Sequence, residues 1–324
     1  MRPTSDSPSH RQEIDGDFAG MNSRLRHWRE AATVLLTAGG VGPGPAAPGV
    51  GTGARRRPGS SSSSSPSFDY HVLLLRRSPR SAFMPSAHVF PGGVPGPLPP
   101  APELAEWRLR VQRQPACFLQ LCRHLRCVPN IWALHEWSNW LTPVGRGRRY
   151  DTAFYLCCLG QGPPPASHDQ VEVTACQWTE PPEAIELVKS QDIWIPPPQF
   201  YELCRLCNFP SLHDLHRFGF ERAAEGCERW MCVLLTASDG YMQLLPGDEL
   251  YPEDPDFTGE RKPALSTNKK IEDVLKEATR LHRIVIRDLN NVTVHVNIPP
   301  KYKHINPLPL NSKMGNTSNC GSRL

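Results

Sequence analysis

The sequence has no long apolar run and no excess of one charge, and from its polar first residues we expect no secretory leader. No apolar stretch approaches the roughly 18 residues that a membrane-spanning helix needs, so we expect no membrane span. The 36 Lys and Arg residues nearly balance the 32 Asp and Glu residues, and a net charge of +4 spread this evenly argues against a nucleic-acid partner. The first twenty residues are polar, so we expect the 11 cysteines to be reduced thiols rather than a disulfide framework.

Proline and glycine are abundant, with 35 and 24 residues, and they concentrate in particular stretches. Residues 41–67 combine Gly and Pro with the serine run Ser60–Ser65. Such a stretch cannot bury enough apolar surface to offset the entropy of ordering, so we expect a low-complexity insertion without fixed structure. Residues 91–102 hold six prolines, which exclude a helix there, and Pro196–Pro198 form a third breaker.

Short apolar runs alternate with helical patterns between these stretches, which indicates an α/β (α+β) protein. We expect strands at residues 31–37, 70–77, 87–90, 150–159 and 171–178. We expect helices at residues 103–126, 199–209, 212–228 and 271–282. Ser238–Gly240 and Asn290–Asn291 each suggest the turn of a hairpin.

The most informative motif is Leu-Leu-Leu-Arg-Arg-Ser at residues 73–78, followed by Phe-Pro-Gly-Gly at residues 90–93. Taken alone, it is a strand, a loop, a second strand and a glycine turn, as in many sheet proteins. In this order and spacing it resembles the strand pair that precedes the catalytic helix of Nudix hydrolases, in the variant associated with coenzyme A substrates. Residues 131–143, 151–154, 194–201 and 244–251 are also similar to the peroxisomal acyl-coenzyme A diphosphatases of this family.

The resemblance covers residues 28–304 apart from the insertion, and it implies a domain plan. We expect a disordered N-terminus at 1–27 and a Nudix-type mixed-sheet α/β/α sandwich at 28–198. A C-terminal extension of helices and hairpins at 199–305 packs on it, and a tail follows at 306–324.

The resemblance also implies a reaction and a set of substrate contacts. The reaction is hydrolysis of the diphosphate bond in acyl-CoA or CoA, giving 3′,5′-ADP and (acyl-)phosphopantetheine with Mg2+ or Mn2+. The substrate-binding residues implied are Arg76, Arg77, Phe90, Gly92 and Gly93. Because Arg76 and Arg77 face opposite sides of a strand, at most one of them can point into a given site.

The catalytic motif itself is missing. A Nudix box reads G-x5-E-x7-R-E-U-x-E-E-x-G-U, with U a bulky aliphatic residue, and its helical glutamates bind the divalent cations. A pattern that starts at Gly92 places Leu98 at the first Glu, and Arg110 and Val111 at the paired Glu positions. A start at Gly93 fails in the same way, so no catalytic or metal-binding residue is assigned.

The missing box leaves three interpretations open. The chain is an active hydrolase that uses other ligands, a catalytically inactive form that binds CoA esters, or a splice form or truncated gene model without the catalytic helix. The chain passes from Gly93 through prolines to the helix expected at 103–126, which favours a lost segment over point substitutions.

Other clusters of potential metal ligands are better explained as ordinary structure. Cys204-x2-Cys207 with His213-x2-His216 has the atoms of a zinc site, but the pairs lie too close in sequence for a finger. Spacing predicts a solvated helix face for Glu221, Glu225 and Glu228. The loop residues Asp248 and Glu249 could approach a site, but spacing cannot establish it.

The last three residues, Ser322, Arg323 and Leu324, fit the peroxisomal C-terminal address whose type form is Ser-Lys-Leu. We therefore expect a peroxisomal protein whose import receptor binds this tripeptide.

Overall fold

The computed structural model describes residues 28–39, 67–92, 102–145, 148–168, 170–258, 265–289 and 291–309. Within these ranges the strands are β1 (Arg29–Gly39), β2 (Tyr70–Arg77), β3 (His88–Val89), β4 (His135–Leu141), β5 (Tyr150–Leu159), β6 (Val173–Thr179), β7 (Arg229–Met231), β8 (Val233–Ala237), β9 (Gly240–Leu244), β10 (Leu265–Ser266), β11 (His282–Ile286) and β12 (Val292–Val296). The helices are α1 (Pro102–Arg113), α2 (Cys117–His124), α3 (Pro181–Lys189), α4 (Pro197–Leu206), α5 (Leu212–Ala223) and α6 (Ile271–Glu277).

The strands form two mixed sheets. The first has seven strands in the order β3-β2-β1-β5-β4-β7, with β6 paired to β2. Its centre is the parallel pair β1–β5, which runs from Arg29 opposite Tyr150 to Ala38 opposite Leu159. The second sheet has the order β10-β8-β9-β11-β12 and is antiparallel except for β10 with β8.

The mixed α/β class expected from the sequence is confirmed. β2 and β5 have the expected bounds, and β8–β9 and β11–β12 are antiparallel hairpins. Four elements, β4, β7, β10 and α3, were not expected. α3 opens with Pro181-Pro182 at its first positions, where a missing N–H costs nothing. In the same way, the proline run at 196–198 begins α4.

The single helix expected at 103–126 is wrong. α1 ends at Arg113 and α2 begins at Cys117, on either side of Pro115. Proline disfavours helical geometry in the residue before it and cannot donate a helix hydrogen bond, so Pro115 interrupts the helix. The apolar periodicity of the sequence continues across this break, which is why a single helix was expected. Likewise, α5 ends at Ala223 and α6 at Glu277, both earlier than expected.

Several expectations concern residues outside the described ranges. These are the N-terminus at 1–27, the insertion apart from Ser67, residues 93–101 and residues 310–324. Residues 306–309 of the expected tail are described, and they are bound to α4 and the turn that follows it. The Asn208 amide donates to Asn306 O at 3.0 Å, and Leu308 N donates to Cys204 O at 3.1 Å.

The two faces of the first sheet are covered unequally. On one face, Leu35, Phe154 and Leu156 are buried against α3, α4 and α5. On the other face, Val34 and Tyr155, which are paired across β1 and β5, are only half-buried, and so are Leu36 and Cys157, the next pair on that face. In the part of the chain that the structure describes, no helix is long and apolar enough to cross a membrane.

A fully buried carboxylate, Glu202 on α4, joins the helices to β4. Its oxygens accept from Trp137 Nε1 at 2.7 Å, Ser138 Oγ at 2.8 Å and Trp140 Nε1 at 2.8 Å. The guanidinium of Arg205 lies 3.3 Å from the same carboxylate and supplies the compensating charge. We call these five residues the Glu202 cluster. A buried carboxylate is tolerated because its oxygens are satisfied and its charge is paired.

A bulge in β4 makes the Glu202 cluster possible. The register with β5 shifts between Glu136 and Ser138, so Trp137 is an extra residue in the strand. Consecutive strand residues normally point to opposite faces, but a bulge can turn two of them to one side. Trp137 and Ser138 therefore both reach the same carboxylate.

A buried histidine, His282 on β11, lies against the same region. Its Nδ1 is 2.7 Å from Pro246 O, which can only accept, so Nδ1 carries the proton. Its Nε2 then accepts from the Tyr201 hydroxyl at 3.0 Å. Burial, above all other causes, lowers the pKa of His282 to about 4. The imidazole is therefore neutral in the folded protein near neutral pH.

We expect Ser138→Ala to lower the free energy of unfolding by about 1.5–3 kcal/mol, because it removes a donor to a buried carboxylate without changing the packing much. Urea denaturation followed by tryptophan fluorescence measures this loss. The control is Ser190→Ala, since the Ser190 hydroxyl binds Asp192 at the exposed end of α3. We expect the control to stay within about 0.5 kcal/mol of the wild type. Equal losses in the two variants would contradict the role given to the Glu202 cluster.

We also expect acid to destabilise the fold through His282. Its pKa of about 4 in the folded chain lies below the usual value of 6.5. The stability from neutral His282 is therefore complete above about pH 6.5 and is lost as the pH falls towards about 4. At pH 5 the loss is about 2 kcal/mol relative to pH 7.

The test compares urea unfolding at pH 7 and pH 5 for the wild type and His282→Asn, which keeps a donor near Pro246 O. We expect a smaller loss in this variant. The exposed His213, with 80% of its side chain accessible, provides the control His213→Asn, which we expect to behave like the wild type. A wild-type loss that persists unchanged in His282→Asn would refute the assignment.

Candidate functional site

A cleft of about 900 Å3 lies between the first sheet and the second. This volume lies within the range of about 300–1,000 Å3 found for small-molecule sites. Its walls come from β1, β2 and the turn after β3, from the ends of β4 and β5, from residues 164–168 and 194–199, and from the second sheet.

The turn Phe90-Pro91-Gly92 forms one wall and is fixed to β1. Val34 N donates to Pro91 O at 2.7 Å, and Gly92 forms a bridge with Thr33. A Cβ atom on Gly92 would lie 2.7 Å from Ala32 O, too close for any other residue without movement of the backbone. Glycine is therefore required where the turn meets the strand.

Of the other residues that the family resemblance suggested, two lie at the cleft. Phe90 is buried, and its ring meets Phe154 edge to face at a centroid distance of 6.3 Å. Arg77 lines the cleft, whereas Arg76 is exposed and does not line it. Gly93 lies outside the described residues. The structure thus brings Arg77, Phe90 and Gly92 together at one cleft. Their contacts with a ligand remain a prediction.

The Arg77 guanidinium is held by its own loop. Nε donates to Phe83 O at 3.0 Å, and Nη2 donates to Ser81 Oγ at 2.7 Å. The pairing with β6 changes register at this point, where Thr174 is an extra residue on β6 between the partners of Arg76 and Arg77. The positive charge of Arg77 therefore has a fixed position on the cleft wall.

The charges of the cleft do not suit a divalent cation. Leaving aside tyrosine and cysteine, the described residues that line the cleft include three ionisable side chains, which are Arg77, His168 and Glu172. Glu172 is the single carboxylate among them. Over the described ranges as a whole, no three His, Cys, Asp or Glu side chains are grouped so that they could hold a metal ion. Residues 93–101, where the box would begin, contain no Asp or Glu. The residues present therefore do not fit the metal that the family resemblance implies.

The cysteine and histidine pairs do not converge on one point. Cys204 and Cys207 are buried in and just after α4, and burial raises the pKa of the Cys207 thiol to about 12. His213 is exposed, and His216 packs beside His135, with ring centroids 5.3 Å apart. The ten cysteines of the described ranges are free thiols.

The acidic candidates are engaged elsewhere. Glu225 pairs with Lys303 and Glu228 with Lys301, both beyond the end of α5. Since α5 ends at Ala223, Glu221, Glu225 and Glu228 do not share one helix face.

The two loop acids have structural partners. Asp248 forms a fully buried ion pair with Arg283, with both carboxylate oxygens engaged. Glu249 accepts from the Thr279 hydroxyl and two backbone N–H groups, and these bonds lower its pKa to about 2. Neither acid lines the cleft.

The aromatic residues divide between core and cleft. Trp137 and Tyr201 are core residues, and Trp140 belongs to the Glu202 cluster while also lining the cleft. Trp178 and Trp194 also line it, whereas Trp132 is exposed.

Sequence reasoning missed the contribution of the second sheet and of residues 164–168. Because side chains alternate between the two faces of a strand, the sequence of β9 could have shown that Tyr241 and Gln243 share a face. No local pattern reveals that this face lies opposite β1 and β2.

Comparison with known proteins gives consistent matches. The family model described as NUDT19 Nudix domain matches residues 28–99 and 95–206, and the one described as NUDT19 C-terminal domain matches residues 234–297. The protein named acyl-coenzyme A diphosphatase NUDT19 from Gallus gallus is 49% identical over 397 positions, which cover 94% of this chain and all of the relative. The Homo sapiens protein of the same name is 54% identical over 222 residues, covering 67% of this chain and 58% of the relative.

A crystal structure of a Nudix hydrolase from Alicyclobacillus acidocaldarius aligns with a TM-score of 0.44 and 16% identity, covering 60% of this chain and 97% of that one.

The matches also bear on the missing box. The Gallus gallus alignment, at 397 positions, is longer than the 324 residues of this chain, so that relative contains residues with no counterpart here. The Nudix model matches in two parts that meet at residues 95–99, inside the proline stretch. The second observation places the junction of the two matches where the box would begin. Since the Nudix model matches more than half of the chain and one relative matches along its whole length, this chain belongs to the NUDT19 family of Nudix proteins.

Proposed function

We propose that this protein is an acyl-coenzyme A diphosphatase whose substrate binds in the 900 Å3 cleft. The observation that carries the proposal is the arrangement of the cleft wall, where Arg77 and the turn Phe90-Pro91-Gly92 lie together beside β1. The names of the relatives support the substrate class.

The proposed reaction is hydrolysis of the diphosphate bond of acyl-CoA or CoA, giving 3′,5′-ADP and (acyl-)phosphopantetheine. The family resemblance implies Mg2+ or Mn2+ for this reaction, and the described residues of this chain supply no ligand set for either ion. Arg77 would bind a phosphate of the substrate. A guanidinium has five N–H groups, so the two bonds to the loop position it while others remain for a forked contact.

A second candidate function for this chain is binding of CoA esters without cleavage. It is favoured by the lack of a metal-ligand cluster among the described residues and by the absence of acidic residues from 93–101. Without metal ligands, most of the electrostatic stabilisation of a phosphoryl transition state is lost, whereas the binding wall does not depend on them.

We also propose that the protein is peroxisomal. The support is the C-terminal tripeptide Ser322-Arg323-Leu324, which fits the address read by the peroxisomal import receptor.

One experiment separates the candidates. The folded full chain is incubated with acetyl-CoA and either Mg2+ or Mn2+, products are resolved by chromatography, and affinity is measured by calorimetry. Formation of 3′,5′-ADP supports the diphosphatase. Binding without product supports the binding form, and neither binding nor product refutes both.

We expect Arg77→Ala to weaken acetyl-CoA binding about tenfold or more, since it removes a charged hydrogen-bond donor to a phosphate. The neighbouring Arg76 supplies a matched control of the same charge. Because it is exposed and does not line the cleft, Arg76→Ala should stay within about twofold of the wild type. Thermal melting of both variants checks that the loop still folds, and equal effects of the two substitutions would exclude the role given to Arg77.

A further inference from the structure

The second sheet presents a row of uncharged side chains to the cleft. Tyr241 on β9 is directly opposite Ile286 on β11, and Ile286 is directly opposite Val292 on β12. Directly opposed residues in a sheet lie on the same face, so the three form a continuous strip. Leu289, in the turn between β11 and β12, extends it, and all four line the cleft. We call them the second-sheet strip.

The strip lies on the inner face of its sheet. Ile286 and Val292 are buried in the same core as β1 and β5, and Tyr241 packs against that core. The alternating residues Met242 and Val285 belong to a separate core with α6. Burial on both faces of the sheet therefore fixes the orientation of the strip. A shift of the strand register by one residue would move the residues of each core to the opposite face.

The charged lining residues belong to other segments. Arg77 is on β2, and His168 and Glu172 lie before β6. The strip carries no ionisable acid or base apart from the phenol of Tyr241. The cleft thus combines a wall that carries Arg77, His168 and Glu172 with a second-sheet wall that is uncharged, where Gln243 adds an amide to the strip. It is large enough for a ligand that has both a charged and an apolar part.

We propose that the second-sheet strip is the acyl-binding subsite and sets the chain-length preference of the protein. An acyl-CoA has anionic phosphates at one end and an apolar acyl group at the other, which matches the two walls. This inference rests on the proposed function, which supplies the ligand class. It goes further by assigning a role in recognition to the C-terminal β-hairpins, outside the Nudix sheet.

Affinity should therefore rise with acyl length. Each methylene buried against the strip strengthens binding about fourfold, until the chain extends beyond the strip. Octanoyl-CoA should accordingly bind more than tenfold tighter than acetyl-CoA, even if only two or three of its methylenes are covered.

The test measures the dissociation constants of CoA, acetyl-CoA and octanoyl-CoA by calorimetry with the full chain and without added metal ion, so that no hydrolysis interferes. The variant is Leu289→Asp, and the matched control is Leu119→Asp on α2. Both leucines are 61% exposed, and Leu119 does not line the cleft. We expect Leu289→Asp to reduce the octanoyl-to-acetyl affinity ratio at least threefold and Leu119→Asp to leave it unchanged.

The affinity ratio is the chosen readout because partial unfolding lowers the binding capacity for both ligands equally. If octanoyl-CoA binds no tighter than acetyl-CoA, or if Leu289→Asp and Leu119→Asp have the same ratio, the subsite is refuted while the proposed ligand class stands. If neither CoA nor acetyl-CoA binds to the wild type, the proposed function itself fails.

Discussion

The carboxylate of Glu202 is the interaction on which the packing of α4 against the first sheet depends. It fixes α4 to β4 through two tryptophan indoles and one serine hydroxyl, and it is paired with Arg205. Arg205 in turn donates to Ile305 O at 3.0 Å, far along the chain. A buried ion pair by itself adds little stability, but an incomplete one is costly. The cluster therefore selects the single arrangement in which β4, α4 and the residues near 305 are all in place.

Much of the secondary structure could be predicted, because it follows from local pattern. β2 is a continuous apolar run and β5 a long apolar segment bounded by loops, and both have the expected limits. β4 was missed because its bulge interrupts the usual alternation and because the polar Ser138 is buried against Glu202. At the site, strand geometry predicted that Arg76 and Arg77 would diverge. The strip on the second sheet could not be predicted, since it is defined by which elements pack together and not by any sequence neighbour.

The loss of the box has different consequences for the fold and for its surface. The main core lies between the first sheet, α3–α5 and the inner face of the second sheet, and apart from Phe90 its buried residues belong to β1 and β2 or follow the proline stretch. The face that remains half-buried carries apolar side chains such as Val34 and Tyr155. An α/β sheet normally buries both faces, so this face is where a further helix would be expected to pack. The fold can therefore persist without the segment, at the cost of incompletely covered apolar surface.

In this architecture the residues for catalysis and those proposed for binding are distributed differently along the chain. The ligands of a Nudix metal site come from one contiguous helix, so a single deletion removes them together. The cleft wall is assembled from β2, the turn after β3 and the second sheet, which are dispersed along the chain. Each of these is fixed by contacts that do not involve the box, as Gly92 is by β1 and Arg77 by its own loop. We therefore expect a chain without the catalytic segment to keep the cleft geometry that is proposed to bind the substrate, and binding and catalysis can be measured separately in the same protein.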